Sequence, residues 1–406
     1  MKKKSNVLIT TLGKGRPVTP EAQGVGRYKE VRYRFDDGDV SLPTTFFGAA
    51  LREHLEKNGT RIDRIVILGT SGSMWDAWLE VDVDFFIAHE ELALRLQKAQ
   101  EADSIADAEL QKLAKALSER AGVPVDCRRI PYGVTEEEQL GILRVISTCA
   151  NEGDSVYMDV THGLRHLPML ELQSAFLMKA KLETKGLYYG AFERKDADRL
   201  VPVVPLTGAL RINEWNQAVS ILRETGNVAP LARLPGMESF REALLNCQFY
   251  EQMNNVAQSR RFACNILKRL EDLPEEGRLF EGELRKAFEW GNEQKYARRQ
   301  FRQAQKAFDN GDDLRSVTLL METAISAYIE GDAVNRETRD EVQEKLNKQH
   351  IAEWHCLRQL RNSLVHGGAP SGRGADEVLR MRKRESDFKA GMAPLFKWVE
   401  SILPKG

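Results

Sequence analysis

Two stretches of the chain crowd together groups that can bind or move charge. In Asp159-Val160-Thr161-His162-Gly163-Leu164-Arg165-His166, donors fall at Thr161, His162, Arg165 and His166 within six positions. Hydroxyl, imidazole and guanidinium hydrogens together suit an anion. In Arg361-Asn362-Ser363-Leu364-Val365-His366, an Arg and a His stand five positions apart. That pair suits RNA cleavage. The His can act as general base on a 2′-hydroxyl or as general acid on the leaving 5′-oxygen. The Arg can hold the phosphate and stabilise charge in the transition state. The 2′-hydroxyl is then the internal nucleophile, so this chemistry needs no metal. Asn362 can orient the imidazole. On an ideal helix Arg361 and His366 lie about 140° apart around the axis and about 7.5 Å apart along it. They cannot converge on one atom within one chain, but two copies across a two-fold axis could bring two Arg and two His into one cleft.

The elements that must position these groups are legible in part. Val156, Tyr157, Met158 and Val160 make a short buried strand, Gly163 breaks it, and apolar residues from Leu164 to Leu177 recur at helical spacing. The donor cluster thus sits between the carboxyl end of a strand and the amino end of a helix. In an open α/β sheet ligands bind there, and free helix N–H groups favour an anion. Two more strand ends look similar. Asn6–Thr11 runs into Leu12-Gly13-Lys14-Gly15, one cation among glycines that let a ligand approach the backbone. Arg64–Leu68 runs into Gly69-Thr70-Ser71-Gly72-Ser73, a small hydroxyl-rich loop able to cradle phosphate. It lacks the Gly-Lys-Ser/Thr ending of a Walker loop.

Further expected elements are a half-exposed strand Tyr28–Phe35, helices Thr44–Lys57, Glu101–Gly122 and Glu136–Asn151, and strands Val123–Ile130, Gly186–Phe192 and Leu200–Val204. Pro131-Tyr132-Gly133 reads as a break. Strand and helix alternate to about residue 206, which predicts a doubly wound, Rossmann-like sheet. From Leu210 onward only helical patterns occur: Leu210–Glu224, Glu238–Leu270, Glu283–Trp290, Lys295–Phe308, Leu314–Glu330, Arg336–Asn347, Glu353–His366 and Ala375–Leu403. The fold class is therefore α/β followed by all-α, with the boundary near Pro205.

Bulk composition narrows the classes. The chain has 406 residues, enough for two or three domains, and a formal net charge of −1, so no global field draws in nucleic acid. Local basic clusters, Lys295, Arg298, Arg299, Arg302 and Lys306 on one helix and Arg380, Arg382, Lys383 and Arg384 on another, are either an RNA-steering surface or solvated helix faces. Five scattered cysteines without a C-x-x-C pair argue against zinc and disulfides and suit a reducing cytoplasm. The basic start and its short apolar run read as a first strand rather than a signal peptide, and no membrane span is expected.

Taken together, the two motifs resemble a known pairing. Asp159 to Pro168 (DVTHGLRHLP) resembles the signature of CRISPR-associated Rossmann-fold (CARF) sensor domains of type III systems. Arg361 to His366 is similar to the R-x-x-x-x-H motif of HEPN ribonuclease domains, including the Asn after the Arg. The order, CARF then helical HEPN, is that of the auxiliary CRISPR ribonucleases of type III antiviral defence. The resemblance implies a CARF domain at 1–206, a helical linker at 207–275 and a HEPN domain at 276–406. It implies a homodimer or higher homo-oligomer and a cyclic oligoadenylate activator, cyclic tetra-adenylate foremost, with no cofactor and no metal. The activator pocket would be lined by Thr11, Gly13, Lys14, Gly69, Thr70, Ser71, Gly72, Ser73, Thr161, His162, Gly163 and Arg165. Single-stranded RNA would be cut at Arg361, Asn362 and His366. Some CARF domains also cut their own activator; Thr11, Ser71 and His162 are the candidates for that here.

Two other classes compete. A Rossmann-type oxidoreductase is disfavoured, because the first strand leads into Leu12-Gly13-Lys14-Gly15-Arg16-Pro17 rather than G-x-G-x-x-G opening a helix. A non-enzymatic regulator, binding a nucleotide and using an inactive helical half to dimerise, stays open.

Overall fold

The computed structural model describes residues 4–14, 16–17, 26–27, 29–179, 181–194, 196, 198–329 and 336–405. Gly15, Tyr28 and Glu330, placed at element ends above, lie outside the described residues. The chain divides into two compact units, 1–210 and 211–406.

The first unit contains β1 (Asn6–Leu12), the short antiparallel pair β2 (Arg16–Pro17) and β3 (Gly26–Arg27), β4 (Tyr33–Arg34), β5 (Arg64–Gly69), β6 (Val125–Arg129), β7 (Ser155–Asp159), β8 (Glu183–Gly190) and β9 (Val201–Pro205). Its helices are α1 (Phe47–Lys57), α2 (Val83–Ala88), α3 (Glu90–Glu101), α4 (Asp107–Ala121), α5 (Glu136–Ser147) and α6 (Leu167–Met178). Seven strands form one sheet in the order β4-β9-β8-β7-β1-β5-β6. The pairs β8–β7, β7–β1, β1–β5 and β5–β6 are parallel, whereas β9 runs antiparallel to β8 and carries β4 parallel to itself. Chain order runs outward from β1 through β5 to β6, then crosses back to β7 and runs the other way. The reversal falls between β1 and β7, which makes the carboxyl ends of those two strands the topological switch point.

Both faces of the sheet are covered, as alternation along its strands requires. Val7 and Ile9 of β1, Val66 and Leu68 of β5, and Val156 and Met158 of β7 pack with Ile142 and Ile146 of α5 and Leu167, Ala175 and Met178 of α6. Leu8 and Tyr157 point the other way, to Phe47, Leu51 and Leu55 of α1. Ile67 and Val125 meet Trp75, Leu96, Leu110 and Leu113.

Several expected elements are shorter or interrupted. Glu101–Gly122 is not one helix. The chain leaves α3 at Ala102, turns through Asp103 with φ 49°, and α4 begins at Asp107. Of the strand expected to Phe35, only Tyr33–Arg34 joins the sheet, although the predicted alternation holds, with Val31, Tyr33 and Phe35 buried and Arg32 exposed.

The second unit is built from α7 (Thr207–Thr225), α8 (Ala229–Ala232), α9 (Glu238–Gln252), α10 (Val256–Lys268), α11 (Glu275–Arg278), α12 (Glu281–Phe288), α13 (Tyr296–Asp309), α14 (Asp313–Ser326), α15 (Arg336–Lys348), α16 (Ala352–His366), α17 (Ala375–Met381) and α18 (Glu385–Ser401). No strand occurs among its described residues. The long helix expected over Glu238–Leu270 is two, because Asn254 takes φ 52° and Asn255 caps α10 by accepting from Gln258 N. Ala375–Leu403 is likewise two, broken at 382–384. One buried cluster takes residues from across the unit, among them Trp215, Phe240, Cys247, Phe288, Leu320, Trp354 and Met392. Among the described residues no helix is long and apolar enough to cross a membrane.

Candidate functional site

In the first unit the three loops singled out from sequence are brought together. An ideal Cβ on Gly13 would lie 2.6 Å from Gly163 N and 2.7 Å from Gly163 Cα, so the loops after β1 and β7 touch backbone to backbone at the switch point. Gly163 sits at φ 119°, a region that L side chains rarely adopt. The loop after β5 is tied to the β1 loop by Ser73 Oγ, which donates to Leu12 O (2.8 Å), and by Met74 N, which donates to Gly13 O (3.0 Å). Ser73 Oγ also accepts from Thr70 N (2.8 Å).

Asp159, at the end of β7, is the hub under these loops. Its Oδ2 accepts from Thr10 Oγ1 (2.6 Å) and its Oδ1 from Thr161 N (2.8 Å). Thr161 Oγ1 in turn accepts from Gly190 N (2.8 Å), and Thr11 Oγ1 donates to the Asp159 carbonyl (3.3 Å). Burial pushes the Asp159 carboxyl up to about 6, against the pull of the donating Thr10, Thr161 and Gly48 groups. Glu171 of α6, also buried, is raised well above the usual range by burial and by Asp159. His162 faces inward: Phe47 N donates to its Nε2 (3.4 Å), and burial pushes the imidazole down to about 4.

The frame and the available surface are therefore different residues. Thr11, Gly13, Gly69, Thr70, Gly72, Ser73 and His162 are buried and build the loops, with Thr161 and Ser71 half-buried. Lys14, Gly163 and Arg165 are exposed, and among the described residues neither Lys14 nor Arg165 has a salt bridge. A ligand at this edge would meet the Lys14 and Arg165 cations, the Ser71 loop and the open backbone of Gly163. The sequence reading missed a fourth strand end. Tyr132, in the loop after β6, places its phenol beside Gly72, and its carbonyl accepts from His166 Nε2 (2.9 Å). The rule that sites lie at carboxyl ends of parallel strands applies equally to β6 and was the available signal.

The buried charge makes a pH test possible. The Asp159 carboxyl titrates higher folded than unfolded, so its contribution to stability is complete below about pH 4 and is lost as pH rises through about 6. His162 slopes the opposite way, its contribution present above about 6.5 and lost as pH falls through about 4. In denaturant titrations, the stability of the parent relative to Asp159→Asn should therefore fall between pH 4 and pH 7, by up to ~3 kcal/mol. A difference that stays flat across that range would place the uncompensated charge elsewhere.

In the second unit, α16 presents two faces. Trp354, Leu357 and Leu360 are fully buried and Leu364 packs against them, while Asn362, Val365 and His366 are exposed and Arg361 is half-buried. Arg361 Nη1 donates to Asn362 Oδ1 (3.1 Å). His366 is the last residue of the helix; Gly367 ends it at φ 66° with its N–H on Ser363 O (3.0 Å). Arg382 pins that end, donating to Ser363 Oγ (2.6 Å) and Gly368 O (3.0 Å). A cavity of ≈ 1070 Å³ between α7, α12 and α13 is lined by none of Arg361, Asn362 and His366. The basic clusters are not free patches. Arg299 is buried, Lys306 pairs with buried Glu251 (3.1 Å), Arg302 with Glu293 (3.3 Å) and Arg380 with Glu377 (2.5 Å), and Arg298 donates to Pro404 O (2.8 Å). Only Lys295, Lys383 and Arg384 of the nine are left without such a partner among the described residues.

Comparison with known proteins bears on the first unit. Residues 7–193 match the family model described as "CRISPR system endoribonuclease Csx1, CARF domain". That range holds every loop of the site at the sheet end, and the helical unit lies outside it. "CRISPR-associated protein MJ1674" of Methanocaldococcus jannaschii is 24% identical over 253 residues, covering 56% of this chain and 38% of that protein. The chain thus spans well under half the length of that relative. Over residues 7–193 the first unit is similar to a CARF domain.

Proposed function

We propose that this protein is a CRISPR-associated, CARF-domain single-stranded RNA endoribonuclease of type III antiviral defence. A cyclic oligoadenylate bound by paired CARF domains switches it on, and HEPN-type helical units cut RNA without a metal. The observation that carries the cleavage reading is the end of α16. Arg361, Asn362 and His366 lie on its solvent side, away from the cavity between α7, α12 and α13, and the turn after them is fixed by Arg382. A site made by two copies needs its catalytic groups at the surface, on a rigid element. Residues buried within one unit would be useless to a partner.

The sensor half supports pairing in another way. Helix α6 reads LPMLELQSAFLM and carries apolar residues around most of its circumference, as helices enclosed by protein do. Yet Met169 and Leu177 are 68% and 60% exposed, and Leu164 just before the helix is exposed too, as are Val134 and Leu140 near the start of α5, which packs against α6. A second copy laid against this face would bury them, beside the loops that hold Lys14, Gly163 and Arg165. A ring of nucleotides has rotational symmetry of its own and suits a two-fold site. Switching follows by linkage: the ring controls cleavage only if it binds one arrangement of the dimer better than another.

The test is a fluorescent single-stranded RNA assay with cyclic tri-, tetra- and hexa-adenylate, in EDTA. Cleavage is expected with one ring size and not without it, at a rate unchanged by the chelator. Equal rates with and without every ring would remove the switch, and loss of activity in EDTA would contradict the metal-free route.

A further inference from the structure

We infer that Tyr132 and Asp103 form a base-reading corner of the CARF site, in which the Asp103 carboxylate selects adenine through its exocyclic amine. The inference rests on the oligoadenylate reading above and adds to it the group that recognises the base. Three segments converge on Gly72. An ideal Cβ there would lie 2.5 Å from Tyr132 Oη, 3.7 Å from Asp103 Oδ1 and 3.7 Å from Lys14 Cε. These side chains come from the loop after β6, the turn between α3 and α4, and the loop after β1. Only a residue without a side chain lets the phenol in against the β5 loop.

The corner is held in place from two sides. Tyr132 Oη donates to Asp103 Oδ1 (2.5 Å). The Tyr132 loop is locked to the first turn of α6 by His166, and Gly133 at φ 76° leaves room for that imidazole. Asp103 itself stands at φ 49°, a left-handed conformation that non-glycine residues adopt uncommonly, Asp more readily than most. Its Oδ2 has no hydrogen bond among the described residues. The carboxylate is thus aimed, and half of its acceptor capacity is unspent.

Chemistry then selects what it faces. A carboxylate repels phosphate, so in an anion site it must meet a part of the ligand that donates hydrogen. A cyclic oligoadenylate offers two such donors, the exocyclic amine of adenine and the ribose 2′-hydroxyl. The base hangs from the outer edge of the ring and presents a face that an aromatic side chain can stack on. Tyr132 supplies that face, Asp103 the acceptor for the amine, and Lys14 the cation for the adjoining phosphate. A site built to accept from an N–H rejects the analogue that lacks it.

Calorimetric titration of the full-length protein with cyclic tri-, tetra- and hexa-adenylate, their inosine counterparts and the 2′-deoxy rings tests this. Inosine replaces the amine by a carbonyl oxygen. The parent should prefer the adenine ring by at least about tenfold. Asp103→Asn should lose about tenfold in adenylate affinity and narrow or invert that preference, because its amide can donate to the inosine oxygen. Tyr132→Phe should fall between. An unchanged adenine-to-inosine ratio in Asp103→Asn, with the parent binding adenylate, overturns the inference and leaves the sensor reading standing. A change confined to the 2′-deoxy ring also overturns it, assigning Asp103 to the sugar. A parent that binds no ring takes the sensor reading and this inference down together.

Discussion

Replacing His366 by Ala should lower ring-activated RNA cleavage by about 10²- to 10⁴-fold, the range a positioned general acid or base contributes. The same variant should bind cyclic oligoadenylate as the parent does and melt at the same temperature. His366 is exposed at the last position of α16 and precedes a Gly367 cap that needs no side chain at 366. Its loss therefore removes chemistry without removing packing, which is what separates an enzyme from a regulator here. A regulator using the helical unit only to dimerise would show no RNA cleavage in the parent, and His366→Ala would change nothing. Cleavage that survives in His366→Ala would move the general acid–base role to another group.

The two sites were legible in the sequence to different degrees, and the reasons are physical. Strand ends announce themselves, because a buried strand is a short apolar run and the loop after it must carry glycine or hydroxyl residues. The Gly13, Gly69–Ser73 and Thr161–Gly163 loops were visible on that ground, and they do meet at one sheet edge. What single-residue reading could not reveal is the division of labour inside them. His162 is chemically the most versatile residue of its loop, yet it is turned inward to Phe47 N–H and kept neutral by burial. Asp159, given no role in the sequence reading, is the acceptor that ties the end of β1 to the loop after β7. Tyr132 and Asp103 escaped because they come from separate turns, and only the fold brings them to Gly72. Helix boundaries failed where a polar residue could take a left-handed conformation, at Asp103 and at Asn254. Periodicity runs through such a point without interruption. The basic run on α13, open between an RNA-steering surface and a solvated face, could not be resolved from sequence for another reason. Long cationic side chains can be spent on buried partners, as Lys306 is on Glu251, and charge counted along a sequence does not reveal that.

Gly13→Ala should weaken cyclic oligoadenylate binding by about ten- to a hundredfold and destabilise the first unit by about 1–3 kcal/mol. The added methyl would sit 2.6 Å from Gly163 N and 2.7 Å from Gly163 Cα, and both are backbone atoms. No side chain can rotate out of the way, so the β1 and β7 loops must move apart. Those loops carry Lys14 on one side and Gly163 with Arg165 on the other, so their separation spreads the cations that would meet the ligand. Ser73 Oγ and Met74 N, bonded to Leu12 O and Gly13 O, pass the same displacement to the β5 loop. Gly141→Ala is the matched control. It lies in α5, the nearest atom to its new methyl would be Pro131 Cγ at 3.6 Å, and Ala is the better helix former. That variant should keep full affinity and gain slightly in stability. If Gly13→Ala binds the ring as tightly as Gly141→Ala does, the ligand does not depend on the β1–β7 junction, and the site must be sought away from the point where the sheet reverses its order.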